Sequence, residues 1–400
     1  MAFDASSNGD SAARPILVLT ASAGAGHLIA AQAVADALRE RAPSAEVEIV
    51  DVLQFTNRFF RALYSQGYLG LVNHAPTAMG MLYEATDRAD RRLRDGLRSS
   101  FQSANSRRAT RFLLQRRPRL IVNTHFLPAE LVAGLRRGGR LACPQATVTT
   151  DFETHRLWVQ EPTERYYTAT TEGAAYLCTY GVPPERVVVS GIPVRAAFTA
   201  DADRGALRAT HGIAADRRYV LLLCGGFGVG PTEELLSSLL TTRGDLGIVV
   251  VTGRNPALKS RLESRVRGEK RDVRVLGYTD CMHEWMRLAD MAVTKPGGLT
   301  ASEALACGLP LVIVSPIPGQ ETRNSDFLLE HGVAIKVNHP RLLAHRIDRL
   351  LDCPERLDHM RAAALASARP QAAGTIASDV LTLLDRAEPA KAGAPGHASC

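Results

Sequence analysis

The chain reads as an α/β protein of two domains, each a parallel sheet covered by helices, and three observations carry that reading. Its 400 residues exceed what one hydrophobic core comfortably organises, and 46% hydrophobic residues are enough to fill two. Short runs rich in Val, Ile and Leu alternate with longer helical stretches, the pattern of strands buried on both faces beneath crossover helices. The alternation begins afresh at Tyr219-Val-Leu-Leu-Leu-Cys224, after a polar stretch. Two Rossmann-like domains facing across a cleft are expected.

In the first domain, set at residues 15–198 behind a flexible 1–14, Ile16–Leu19 is a strand, Ala21–His27 a loop, Leu28–Arg41 a helix and Val47–Val52 a strand. Further strands are expected at Leu120–Asn123, Ala146–Thr149 and Val187–Ser190. From Gly191-Ile-Pro-Val to about Arg204 a turn and a polar stretch read as the interdomain linker. The second domain, 199–372, continues after Tyr219–Cys224 with strands at Gly247–Thr252, Met291–Thr294 and Leu311–Val314 and a helix at Leu299–Cys307. Ala373–Ala387 is a last helix, and 388–400, rich in Ala, Gly and Pro, reads as a disordered tail.

The loops after these strands hold the chemistry. Gly225-Gly-Phe-Gly-Val-Gly230 separates a buried strand from a helix near Thr232, and Lys295-Pro-Gly-Gly298 turns into the helix Leu299–Cys307. Glycines let a ligand approach the backbone, and unpaired N–H groups at a helix start attract phosphate, so both loops suit a pyrophosphate. No Lys-Ser or Lys-Thr follows the first, which removes a Walker A reading. Glu303 is placed to accept the two hydroxyls of a ribose, while Gln320 and Glu321 offer partners to an uncharged sugar. In the first domain, Ser22-Ala-Gly-Ala-Gly-His27 ends in a histidine whose neutral form a helix N-terminus favours, as a general base requires. Thr149-Thr-Asp151-Phe-Glu-Thr-His155-Arg-Leu-Trp158 follows another strand, and Asp151 is a second candidate base or an orienter of His27.

Val275-Leu-Gly-Tyr278, Cys281-Met-His-Glu-Trp285, Ala289-Asp-Met-Ala-Val-Thr-Lys-Pro-Gly-Gly298, Ser302-Glu-Ala304 and Pro318-Gly-Gln-Glu321 with Asn324 resemble the donor-binding half of the diacylglycerol glycosyltransferases. That family includes monogalactosyldiacylglycerol synthases and processive diacylglycerol glucosyltransferases, relatives of the peptidoglycan lipid-intermediate N-acetylglucosaminyltransferase. The resemblance runs from about Ile16 to about Val337 and is strongest in the second half. It implies the GT-B glycosyltransferase fold, with the last helix crossing back to the first domain, and an inverting transfer of hexose from a UDP-sugar to a lipid hydroxyl, diacylglycerol foremost. By the same resemblance the donor site comprises Gly226, Phe227, Gly228, Arg254, Gly277, Tyr278, Met282, Gly297, Gly298, Leu299, Thr300, Glu303, Gln320 and Glu321. His27 or Asp151 is the catalytic residue, His27 ahead, and Gly26, His155 and Trp158 line the acceptor path. Ala23 and Ala25 depart from the plant enzymes' more uniformly glycine-rich loop and leave acceptor identity open. Another acceptor, a UDP-sugar 2-epimerase of the same fold and a non-catalytic UDP-sugar-binding protein are the alternatives.

Charge is distributed unevenly. The net charge is +7, yet 52–140 alone holds sixteen Arg, no Lys and five acids, a net +11. Inside this block 62–83 carries no Asp, Glu, Lys or Arg and is rich in Leu, Tyr and Met. An apolar segment flanked by arginine fits docking on an anionic bilayer, each basic residue contributing about 1 kcal/mol. The aromatics are not interleaved with the arginine clusters, and no nucleic-acid motif is present, so nucleic acid is not expected as a partner. Seven scattered cysteines without a C-x-x-C pair fit a reducing cytosol, and no signal peptide or membrane-spanning run is seen. The expected location is cytoplasmic, peripheral to the inner membrane face. Asp201-Ala-Asp203 is the only D-x-D and lies in the linker, so no catalytic metal or other cofactor is expected.

Overall fold

A computed structural model describes residues 14–22, 24–57, 76–88, 106–225 and 230–387. Among these residues, twelve strands form two parallel sheets. The first contains β1 (Ile16–Thr20), β2 (Val47–Asp51), β3 (Leu120–Asn123), β4 (Gln145–Val148), β5 (Arg165–Thr168) and β6 (Val187–Val189), in the order β2-β1-β3-β4-β5-β6. The second contains β7 (Arg218–Leu223), β8 (Leu246–Val251), β9 (Val273–Leu276), β10 (Met291–Thr294), β11 (Leu311–Val314) and β12 (Ala334–Val337), in the order β12-β11-β10-β7-β8-β9.

Continuous apolar runs form these strands because both faces are covered. Along β7, Val220 and Leu222 enter one core and Tyr219, Leu221 and Leu223 the other. In the first sheet Ile16 and Val18 pack toward helix Ala25–Arg41, and Leu17 and Leu19 toward helices Arg107–Arg116 and Phe126–Arg137. One core of the second sheet also takes in Phe152, Ala169 and Ile192 of the first domain, so apolar packing itself joins the domains.

The last helix, Ala372–Ala387, lays Ile376, Ala377, Val380 and Leu384 into the core of the first sheet. Each buried Ile, Val or Leu contributes about 1.5–3 kcal/mol. Asp379 fixes its register by accepting from the Tyr167 hydroxyl at 2.7 Å and Arg165 Nε at 3.0 Å. The chain therefore passes between the sheets twice, once through 190–217 and once through this helix.

Several elements differ from the sequence reading, β9 and β12 among them, which were not expected as strands. Helix Ala25–Arg41 starts three residues before Leu28, because Ala25 is a strong helix former and Gly24, in extended conformation, supplies the N-cap position. His27 thus lies in the first helical turn. β5 escaped notice because Arg-Tyr-Tyr-Thr shows no period, although Tyr166 and Tyr167 are both fully buried. Asp203 of the D-x-D pair accepts from Gly205 N at 2.8 Å and caps helix Arg204–Thr210. Of the charge-free segment, 62–75 lies outside the described residues and 76–83 belongs to helix Pro76–Arg88.

Candidate functional site

In a parallel sheet every strand delivers its following loop to the same edge, and ligands gather where the strand order reverses. The second sheet reverses between β7 and β10, whose loops are Cys224–Gly225 and Lys295–Gly298. The first reverses between β1 and β3, whose loops carry His27 and Thr124–His125. The two edges meet.

On the donor side, Gly297 is the extended N-cap of helix Gly298–Ala306 and has no side chain to bond the first N–H groups, which leaves those of Gly298, Leu299 and Thr300 to an anion. Lys295 approaches from the same loop, its Cε 3.5 Å from the point where a β-carbon on Gly230 would stand. Gly226, Phe227 and Gly228, between them, lie outside the described residues. Glu303 is 6% exposed, and burial pushes its carboxyl up to about 8 against the opposing field of Arg195. Arg254 stacks on the exposed Tyr278 ring, 4.6 Å from its centroid, and Gly277 faces the Gly253 carbonyl. Met282 opens the following helix, Met282–Leu288, and packs on the core. Gln320 and Glu321 begin helix Gln320–Glu330; Glu321 Oε2 accepts from Ile317 N at 2.7 Å, and burial raises its carboxyl.

On the other side, His27 Nδ1 lies 3.1 Å from the Thr124 carbonyl and 3.0 Å from Thr150 Oγ1. A carbonyl only accepts, so Nδ1 carries the hydrogen and Nε2 the lone pair. Burial lowers this imidazole to about 4 and keeps it neutral. His125, 2% exposed, meets it edge-on at 4.5 Å, and burial first and His27 second hold His125 well below the ordinary histidine range. Trp158 stands 6.2 Å from His27. The sequence offered only one signal for His125, its place at the end of a strand in the sheet that bears His27.

Asp151 does not orient His27. Its Oδ1 accepts from Gln320 Nε2 at 2.6 Å and Asn324 Nδ2 at 3.2 Å, and burial raises its carboxyl to about 6 against those two bonds. His155 is engaged at both nitrogens: Nδ1 accepts from Leu157 N at 2.9 Å and Nε2 donates to the Tyr83 carbonyl at 3.0 Å. It anchors the loop, and its neighbour Trp158 lies nearer the histidine pair.

The domains touch through these same residues. A β-carbon on Gly298 would stand 2.1 Å from the Thr150 carbonyl, so only glycine allows the helix start to reach the 149–158 loop. Gly26 lies against Leu299, with 3.4 Å between a β-carbon there and Leu299 Cβ. Fully buried Asn324 accepts from Phe152 N at 2.9 Å while donating to Asp151. The structure therefore gathers Gly26, His27, Asp151, Gly298, Leu299, Gln320 and Asn324 at one junction, with Glu303 and Glu321 on the helices that form it. Arg254, Gly277 and Tyr278 lie further along the donor edge, after β8 and β9. A neutral imidazole with a free lone pair on one wall, and anion-binding N–H groups beside buried carboxyls on the other, can bind a sugar nucleotide and take a proton from a second substrate.

Residues 27–194 match the family described as monogalactosyldiacylglycerol (MGDG) synthase, and 215–366 match glycosyl transferases group 1. The processive diacylglycerol beta-glucosyltransferase of Bacillus licheniformis is 30% identical over 346 residues, 86% of this chain and 89% of that protein. Among solved structures, Acinetobacter baumannii MurG superposes with a TM-score of 0.61 at 17% identity, over 92% of this chain and 99% of that one. Anabaena HepE, crystallised with UDP-glucose, gives 0.56 at 14% identity over 92% and 100%. The fold is that of the two-domain GT-B enzymes.

Proposed function

Because the chain belongs to the diacylglycerol glycosyltransferase family, we propose that it is an inverting UDP-sugar hexosyltransferase that glycosylates diacylglycerol. The observation that carries this reading is the opposition, across one closed junction, of His27 with its free Nε2 and the N-cap of helix Gly298–Ala306. UDP lies along the second sheet's edge, uracil by Gly277, Tyr278 and Met282 under Arg254, ribose on Glu303, diphosphate on the N–H groups of Gly298, Leu299 and Thr300 and on 226–228, and sugar on Gln320 and Glu321. The acceptor hydroxyl enters beside His27, Gly26 and Trp158.

The acceptor oxygen attacks the anomeric carbon in line with the departing UDP, its proton passes to His27 Nε2, and the bonding pair leaves on the β-phosphate oxygen. An α-linked donor so gives a β-glycoside. Asp151, tied to Gln320 and Asn324, is better placed to fix the sugar end than to reach the proton. The negative charge that develops on UDP is met by the helix N-terminus and Lys295, which supports a reaction without a divalent ion. No helix among the described residues is long and apolar enough to cross a membrane. The arginine-rich 52–140 block supports peripheral attachment to the anionic inner face of the membrane.

The test is a matrix of UDP-glucose, UDP-galactose and UDP-glucuronate against diacylglycerol, a polyprenyl phosphate and a soluble alcohol, with products read by mass spectrometry in the presence of a chelator. Hexosyl-diacylglycerol is expected. Transfer only to the soluble alcohol, or loss of transfer with the chelator, contradicts the reading.

A further inference from the structure

Helix Pro76–Arg88 is wedged against the donor-sugar loop of the other domain. Gly319, at φ +94°, lies beneath Tyr83 so closely that a β-carbon there would stand 2.7 Å from Tyr83 Cγ, and one on Gly80 would stand 2.9 Å from Pro318 Cβ. Arg323, one turn along from Gln320, reaches back to this helix. Its Nη2 donates to Asp87 at 2.9 Å and lies 3.4 Å from Glu84, its Nε lies 3.7 Å from Glu153, and its guanidinium sits over the Tyr83 ring at 5.1 Å. Asp87 also accepts from Arg156 N at 3.0 Å and the Tyr180 hydroxyl at 2.9 Å. Four segments of both domains thus converge on one ion pair whose members are 11% and 18% exposed at the side chain.

The function of this pair rests on the transfer reaction proposed above. When the acceptor oxygen bonds the anomeric carbon, the bond to UDP breaks and its pair leaves on the diphosphate; water in the acceptor's place undergoes the same change and yields free hexose. Only the enclosure of the sugar separates the two outcomes. We infer that Arg323 is a positioning residue that clasps helix Pro76–Arg88 over the sugar end of the donor site and so keeps water from the anomeric carbon. A guanidinium suits the task, because its Nη2 reaches Asp87 and Glu84 and its Nε faces Glu153 while its planar face rests on Tyr83.

The experiment compares wild type with Arg323→Met, Arg323→Lys and Asp87→Asn, supplying UDP-glucose and diacylglycerol in mixed micelles. Glycolipid, free glucose and UDP affinity are measured for each. Arg323→Met should lower transfer about 10- to 100-fold through misplacement of the wall. Free glucose per glycolipid should rise several-fold while UDP affinity stays within about twofold. Arg323→Lys, which keeps a charge without the second nitrogen that faces Glu153 or the planar face over Tyr83, should fall between, and Asp87→Asn should reproduce the shift in ratio should the methionine variant fail to fold. A constant ratio of glucose to glycolipid in the folded variants overturns the clasp. A wild type that makes neither product overturns the transfer reading instead.

Discussion

Affinity for UDP-glucose should rise steeply between about pH 6 and about pH 8 through one carboxyl. Glu303 is held at about 8 by burial, so the free protein carries it largely protonated at neutral pH. Two ribose hydroxyls donating to it favour the ionised form, and each donor bound then expels a proton. Below the shifted value affinity falls about tenfold per pH unit, which makes the gain over this range about 50-fold, or about 2.3 kcal/mol. UDP-glucose is the right probe because its diphosphate, esterified at both ends, lacks the second phosphate ionisation near pH 6. Titration calorimetry in two buffers of different ionisation enthalpy counts the released proton directly. Glu303→Gln should flatten the profile and, above the shifted value, bind about 1–2 kcal/mol more weakly, the charge-assisted part of its hydrogen bonds. A flat wild-type profile with no proton release would refute the assignment of ribose to this carboxyl. Stability gives an independent reading of the same group. Its folded value lies above its ordinary 4.5, so the folded state holds more protons between about 4.5 and about 8, and the unliganded protein loses stability as pH rises through that window. Glu303→Gln should remove this loss in thermal unfolding.

His27→Ala should lower kcat about 10²- to 10⁴-fold with UDP-sugar affinity unchanged, and Asp151→Asn should act mainly on sugar binding; the reverse pattern in steady-state kinetics would move the base to Asp151. Gly298→Ala should lower kcat about 100-fold and lower the thermal midpoint as well, because the added methyl, 2.1 Å from the Thr150 carbonyl, forces apart domains that share an apolar core; normal turnover would show that this contact is dispensable. Sedimentation with vesicles should require anionic lipid and weaken with salt, the field being screened over about 10 Å at 0.1 M. Leu69, Leu71 and Met81 changed to Ser should weaken it at every salt concentration. Equal, negligible binding to neutral and anionic vesicles would leave the arginine block a solvated face.

What the sequence disclosed depended on how local each signal was. β7, β8, β10 and β11 announce themselves as short apolar runs, and the glycine turns after them place ligand-binding loops without any tertiary knowledge. Gly298 was legible as a turn residue; that it is needed for the approach of another domain's carbonyl was not. The clasp between Asp87 and Arg323 spans 236 residues of sequence, and neither residue differs locally from a solvated charge on a helix. Asn324 stood in a family-like motif, but its role in holding Asp151 exists only once the sheets face one another. The assignments of His155 and Asp151 show the limit of reading a motif as one unit. Both lie in one loop with Trp158, yet the fold bonds His155 to helix Pro76–Arg88 and Asp151 to helix Gln320–Glu330.

Passage of a hexose with inversion from UDP to the hydroxyl of diacylglycerol, without a metal ion, is the proposal on which the other roles depend. It is tested most directly by following UDP-α-glucose and diacylglycerol with the purified protein by NMR, in the presence of a chelator, and reading the anomeric coupling of the first glycolipid formed. A β-glucosyl product that appears in step with UDP is expected. An α-anomer, an epimerised sugar nucleotide or UDP release without glycolipid would contradict it.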